Sequence, residues 1–195
     1  MTTHIRRFWI LLIAIGSVAS EAAQQALPDA EFRRLLKEAI TESSSFRDRF
    51  EAEVWLVDMS SRLERLVPHI PKHERISILR NVHTQATRFK LNPQLVLSLI
   101  QVESAFDRFA VSSAGARGLM QVMPFWKKEI GQPEDNLLKI DTNIQYGCAI
   151  LSLYIKREKN RLSEALARYN GSVGKTWYPE RVFKAWDKWW FVKNY

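Results

Sequence analysis

Apolar residues recur at helical spacing along most of this chain, and no segment shows a convincing strand alternation. Pro28 and Asp29 open a charged stretch running to about Ile40, with Phe32, Leu35, Leu36 and Ala39 on one side. After the polar break Thr41 to Ser45, a second helix is predicted from about Phe46 to Leu66, its apolar positions being Phe50, Val54, Trp55, Met59, Leu63 and Leu66. Pro68-His69-Ile70-Pro71 reads as a linker, and Pro71 suits the first turn of a helix reaching about Phe89. Ile76, Leu79, Val82, Ala86 and Phe89 form its stripe. Asn92 is a good N-cap and Pro93 a good first-turn residue for the next helix. That helix carries Leu95, Val96, Leu97, Leu99, Ile100 and Val102, apolar nearly all round, the pattern of a buried central element.

Downstream the pattern becomes shorter and more broken. Met123-Pro124-Phe125-Trp126 starts a short helix that stops at Gly131. Asp141 or Thr142 is the predicted cap of a longer helix with the stripe Ile144, Gly147, Cys148, Leu151, Tyr154 and Ile155. Ser163 is the predicted cap of a helix through Leu166 to Tyr169, followed by the turn Asn170-Gly171-Ser172-Val173-Gly174. The aromatic run from Tyr178-Pro179 to Trp189-Trp190 is again helical, and Phe109 to Ser113 is the one place where brief strand pairing is expected. The expected fold class is therefore all-α.

Charge and the N-terminus add a compartment. The 195 residues carry a net +8, unevenly spread. From Pro71 onward, 20 Lys/Arg stand against 11 Asp/Glu (+9), whereas from Asp29 to Val67 the counts are 7 and 9 (−2). The basic surface favours an anionic polymer, with binding that weakens as salt rises. Arg6 and Arg7 precede the short apolar core Phe8 to Ile15, followed by small residues up to Ala23. This reads as a secretory signal peptide over residues 1–22, cut between Ser20 and Ala23, and too short to serve as a stable anchor. Export argues against nucleic acid as the partner. The one cysteine, Cys148, lies on an apolar stripe, where a buried inert thiol is the expected reading. His69 and His73 are four apart, but Pro71 interrupts them, so no metal site is expected. Residues 23–70 read as a helical extension, with an envelope protein partner docking on those helices as the alternative, and 71–195 as the main domain.

The candidate chemistry centres on Glu103. It lies three, four and seven residues after Ile100, Leu99 and Val96, on an apolar face near a helix C-terminus. Burial disfavours the charged carboxylate, and so does the partial negative charge of the helix end. A Glu so placed suits a general acid near neutral pH. A structural Glu paired with a base such as Arg117 fits the same pattern.

Three linked motifs carry a resemblance. Glu103-Ser104-Ala105-Phe106, then Ser112 with Gly115-Ala116-Arg117-Gly118-Leu119-Met120-Gln121-Val122-Met123-Pro124, then Ala167-Arg168-Tyr169-Asn170, resemble the bacterial soluble lytic transglycosylases, the goose-lysozyme-like SLT family, from about Lys72 to Trp189. The resemblance implies a lysozyme-like helical domain, a periplasmic location, peptidoglycan glycan strands as the partner, and no cofactor or metal. It implies Glu103 as the sole catalytic carboxylate and Ser112 as the group orienting the N-acetyl group of muramic acid. Met120 and Gln121 would line the cleft floor, and Tyr169 and Asn170 would close it, the tyrosine hydroxyl near Glu103. Asp107, four residues from Glu103, is expected to face solvent outside the chemistry. With a single carboxylate the implied product is a 1,6-anhydromuramoyl end. A non-catalytic glycan-binding or scaffold module and a hydrolytic muramidase are the alternatives. The third motif departs from the usual Ala-Tyr-Asn-Ala-Gly, since Gly171 comes directly after Asn170.

Overall fold

The computed structural model describes residues 31–35, 37, 45 and 48–192. Residues 1–22, where the signal peptide is expected, lie outside that set, as does most of the predicted first helix. Residues 31–35 and 37 are helical, and Phe32 and Leu35 pack against the core. The named helices are α1 (Arg49–Leu66), α2 (Lys72–Arg88), α3 (Pro93–Ser104), α4 (Trp126–Ile130), α5 (Ile140–Arg157), α6 (Leu162–Asn170) and α7 (Trp177–Ala185), which continues into a π-helical turn, Trp186–Trp190. Among the described residues there is no strand. Two isolated antiparallel bridges, Val111 with Arg117 and Arg117 with Val122, are all that becomes of the expected pairing near Phe109 to Ser113.

Local chemistry explains the boundaries. The side chain of Asp48 accepts from the Glu51 N–H and caps α1, which starts three residues after the predicted Phe46. Asn92 caps α3 as predicted, its Oδ1 accepting from the N–H groups of Gln94 and Leu95. Two predicted caps are displaced inward. α5 begins at Ile140 after Lys139, with Asp141 in its first turn, and α6 begins at Leu162 after Arg161, with Ser163 inside it. Neither observed cap uses its side chain, so packing rather than capping sets these two starts.

A single hydrophobic cluster runs through all the long helices. α1 contributes Trp55, Leu56, Met59 and Leu63, while Phe50 and Val54, expected on its apolar face, are exposed. The predicted stripe therefore holds from Trp55 through Met59 and Leu63, with Leu56 added, and fails only at its N-terminal end. Facing it from α2, His83 is buried, packs edge-on to Trp55, and shares a 2.8 Å hydrogen bond with the Ser45 hydroxyl. Burial pushes the His83 pKa down to about 4, so the ring is neutral in the core. The hub is α3, whose Leu95, Val96, Leu97, Leu99 and Ile100 are all buried. Each such side chain contributes about 1.5–3 kcal/mol, so the helix that carries Glu103 is held on several sides by the core.

Candidate active site

α3 ends abruptly. Ala105 (φ 50°) and Phe106 (φ 67°) both adopt left-handed backbone, with no glycine available for either. That conformation costs about 1–2 kcal/mol per residue. The Phe106 ring offsets the cost by burying itself with its centroid 5.6 Å from that of Trp190. The reversal turns the following loop back over the end of α3. There Ser104 Oγ donates to the Leu119 carbonyl (2.8 Å), and the Gly118 N–H donates to the Ala110 carbonyl (2.8 Å).

Three helices clamp this loop. From α3 comes the Ser104 bond to Leu119. From α5, the buried Asn143 accepts the Met120 N–H (2.7 Å) and donates to the carbonyls of Arg117 (2.8 Å) and Leu137 (2.7 Å). From α6, the Tyr169 hydroxyl donates to the Met120 carbonyl (2.7 Å). Gly118 (φ 72°) is required here twice over, since a Cβ would lie 2.5 Å from the Asn143 amide nitrogen and 2.6 Å from the Leu137 carbonyl oxygen. The Met120 side chain packs where Gly147 lacks a Cβ, with its sulfur 2.3 Å from the place that atom would occupy.

Glu103 itself is half-buried at the end of α3. Desolvation pushes its pKa up to about 7, against the opposing effects of a hydrogen bond from the Tyr178 hydroxyl to its Oε1 and of the Arg181 charge. Burial favours the protonated acid, whereas the phenol and the guanidinium favour the carboxylate. Their balance leaves both forms accessible at neutral pH, as a group that must first give and then take a proton requires. Tyr178 is buried, and its own proton is held more tightly by burial and by the neighbouring Glu103.

The other sequence-predicted residues fall into two groups. Met120 is fully buried and packs in the core, so its side chain presents no surface to a cleft; its backbone is what the clamp uses. The Tyr169 hydroxyl is spent on the Met120 carbonyl, and the tyrosine bonded to Glu103 is Tyr178 instead. Tyr169 still feels Glu103, whose charge helps burial to raise its phenol pKa well above the ordinary value. Gln121 (φ 46°) donates from Nε2 to the carbonyls of Gly118 (2.9 Å) and Ala110 (3.2 Å), bracing the same loop. Ser112 closes a tight turn in which its Oγ accepts the Ala116 N–H (3.0 Å), leaving its hydroxyl hydrogen free to donate. Asn170 is exposed at the end of α6, and Gly171 (φ 79°) takes the left-handed C-cap directly after it. The early glycine of the third motif therefore ends α6 right after the Tyr-Asn pair. Arg117 is exposed and makes no ion pair with Glu103 among the described residues. Asp107 is exposed, with its Oδ1 accepting the Phe109 N–H (2.8 Å).

Tyr178, Arg181 and Asn143 escaped the sequence reading as functional positions. Tyr178 and Arg181 are three apart at the start of a helix, hence on one face, which was the available signal. Asn143 announced itself only as an amide beside the apolar stripe of α5.

The model of the transglycosylase SLT domain matches residues 80–191, more than half of the chain. The chain belongs to that family. The all-α architecture of the described residues accords with this membership. Curated relatives include the membrane-bound lytic murein transglycosylases C of Yersinia pestis (strain Pestoides F) and Yersinia pseudotuberculosis serotype O:1b (strain IP 31758). Each is 32% identical in a match covering 56% of this chain and 35% of the relative. The chain thus spans about a third of the length of the curated relatives it matches. Among solved structures, an inactive mutant of the lytic transglycosylase Slt from Pseudomonas aeruginosa is similar with a TM-score of 0.45 and 20% identity, over 79% of this chain and 33% of that one. Within this SLT domain, Glu103, the clamped loop 117–122 and the Tyr169-Asn170 pair all fall inside the matched residues.

Proposed function

We propose that this SLT domain is an exported peptidoglycan lytic transglycosylase acting in the periplasm, with Glu103 as its sole catalytic carboxylate. The observation that carries this reading is the environment of Glu103: half-buried, with a pKa near 7, and hydrogen-bonded by Tyr178 rather than paired with a base. Glu103 protonates the glycosidic oxygen between N-acetylmuramic acid and N-acetylglucosamine, and the bond from that oxygen to the muramoyl C1 breaks. The acetamido group of the same sugar stabilises the oxocarbenium-like centre, with Ser112 as its orienting hydroxyl. The Glu103 carboxylate then takes the proton of the muramoyl C6 hydroxyl as its oxygen bonds to C1. A 1,6-anhydro ring forms, the proton balance closes on Glu103, and no water is consumed.

Tyr178 and Arg181 favour the carboxylate form, which is the form the second half of the reaction needs. Most glycosidases instead rely on two carboxylates flanking the bond. Asp107, the nearest acid in sequence, is exposed and engaged by its own turn, which speaks against a hydrolytic pair.

Digestion of purified peptidoglycan with the wild type and with Glu103→Gln, followed by mass analysis, tests the reading. Anhydromuropeptides from the wild type alone are expected. Reducing ends would mean hydrolysis, and no products from either protein would mean a binding module.

A further inference from the structure

A second charged feature lies beside Glu103, and of its residues only Arg181 enters the chemistry above. A cleft of about 370 Å³ is lined by Gln101 and Val102 from α3, by Arg181, Lys184 and Ala185 from α7, and by Lys188 and Trp189 from the π-helical turn. Its volume is within the range of small-ligand sites. Arg181, Lys184 and Lys188 are three and four residues apart, so their side chains follow one another along one face. All three are exposed, and none is within ion-pair distance of a carboxylate among the described residues, although Glu180 and Asp187 are close in sequence. The Lys188 ammonium stands 5.3 Å from the centre of the Trp189 ring.

The π-helical turn is part of the construction. The Phe191 N–H reaches back to the Trp186 carbonyl (2.8 Å), and the turn is tied to α3 by Trp190 Nε1 donating to Gln101 Oε1 (2.8 Å). The wall bearing Lys188 and Trp189 is therefore held against the same helix end that carries Glu103. π-turns inside helices are often found at functional sites.

We propose that this cleft is an anion subsite that takes the carboxylates of the peptide stem attached to the muramoyl sugar at the scissile bond. The proposal rests on the transglycosylase reading for its ligand and adds a specificity determinant to it. Three exposed cations in one concavity, none in an ion pair among the described residues, with an aromatic face and the Gln101 amide, suit a flexible peptide bearing carboxylates. Arg181 links the two sites, because it also acts on the charge of Glu103. The stem and the reacting bond belong to the same sugar, so a subsite adjoining Glu103 is placed to hold the one while the other reacts.

The test compares native glycan strands with the same strands after their peptide carboxylates have been converted to amides. Binding is measured by sedimentation with the full chain carrying Glu103→Gln, so that the readout does not depend on cleavage. Lys184→Gln with Lys188→Gln is made in that background, and Lys139→Gln with Lys156→Gln serves as a charge-matched control elsewhere on the surface. Exposed charge contacts are individually modest, so the cleft variant is expected to bind native strands about three- to tenfold more weakly. Amidated strands are expected to bind the parent with a similar loss and to show no further loss with the cleft variant. Equal weakening by the control pair, equal weakening on amidated strands, or unchanged binding overturns the proposal. So does a charge-dependent association with phosphatidylglycerol vesicles that the cleft variant loses while strand binding is unchanged, which would make this a lipid-facing surface. If the wild type releases no anhydromuropeptides while the charge-dependent binding persists, it is the catalytic reading that fails and the subsite that stands.

Discussion

Replacing Glu103 by Gln should make the protein more stable above neutral pH, not less. The unfolded chain binds the Glu103 proton with the ordinary carboxyl pKa of 4.5, whereas the folded chain holds it with a pKa of about 7. The native state therefore binds more protons between those values, and stability falls as pH rises through that window. Glu103 contributes most favourably below about pH 4.5, and above about pH 7 the fold carries a desolvated carboxylate. At 1.36 kcal/mol per pH unit the gap corresponds to roughly 3 kcal/mol. The Gln side chain keeps an acceptor for the Tyr178 hydroxyl and has no charge to desolvate. For a chain of this length, about 3 kcal/mol converts to a Tm difference on the order of 6–12 °C. The assay is thermal unfolding of wild type and Glu103→Gln, each at pH 4 and pH 8. The variant is expected to gain at pH 8 relative to pH 4 by about that amount. A Tm difference that is the same at both pH values, or a Gln variant that loses stability between them, would refute the assignment of burial as the dominant influence on Glu103.

Two further predictions probe the surroundings of that carboxylate. Tyr178→Phe removes the donor that favours the ionised form, so the Glu103 pKa should rise above about 7 and the alkaline limb of the activity profile should move to higher pH; an unshifted limb would separate Tyr178 from the titration. Asn143→Leu leaves the Met120 N–H and the carbonyls of Arg117 and Leu137 without their partner, which should cost about 3 kcal/mol in urea unfolding and lower activity through the loosened loop; a loss below about 1 kcal/mol would mean that the loop is held by packing alone.

Local chemistry was legible in the sequence wherever a residue's role depends on its near neighbours. The Asn92 side chain caps α3 because a short polar side chain reaches only its own first turn. Leu95 to Ile100 are buried because an all-round apolar helix has nowhere else to go. Burial of Glu103 followed from the same pattern, since its position relative to Val96, Leu99 and Ile100 is set by helical geometry. Cys148 is buried as its stripe implied, and burial pushes its thiol pKa above the ordinary range. The motifs of the SLT family, read in order along the chain, placed the domain in its family because their residue types and spacing are themselves the signal.

Contacts between distant segments were another matter. Two tyrosines nine residues apart were available to meet Glu103. The motif put Tyr169 near Glu103, and the Glu103 charge does reach it, but the packing of α7 against α3 gives the hydrogen bond to Tyr178 and leaves the Tyr169 hydroxyl to hold the Met120 carbonyl. Met120 was expected at a cleft floor and is enclosed instead, because Gly147 on α5 leaves room for its sulfur, a fit that only two packed elements can define. The bond from Tyr178 to Glu103 spans 75 residues of sequence, and that from Asn143 to Met120 spans 23. The sequence by itself therefore determined the helices, the buried acid and the family to which it belongs, because periodicity, capping and motif are local properties of the chain. Tertiary structure alone decided which phenol and which cation balance the burial of Glu103, because a pKa is set by whatever the fold brings near, however far away it lies in the sequence.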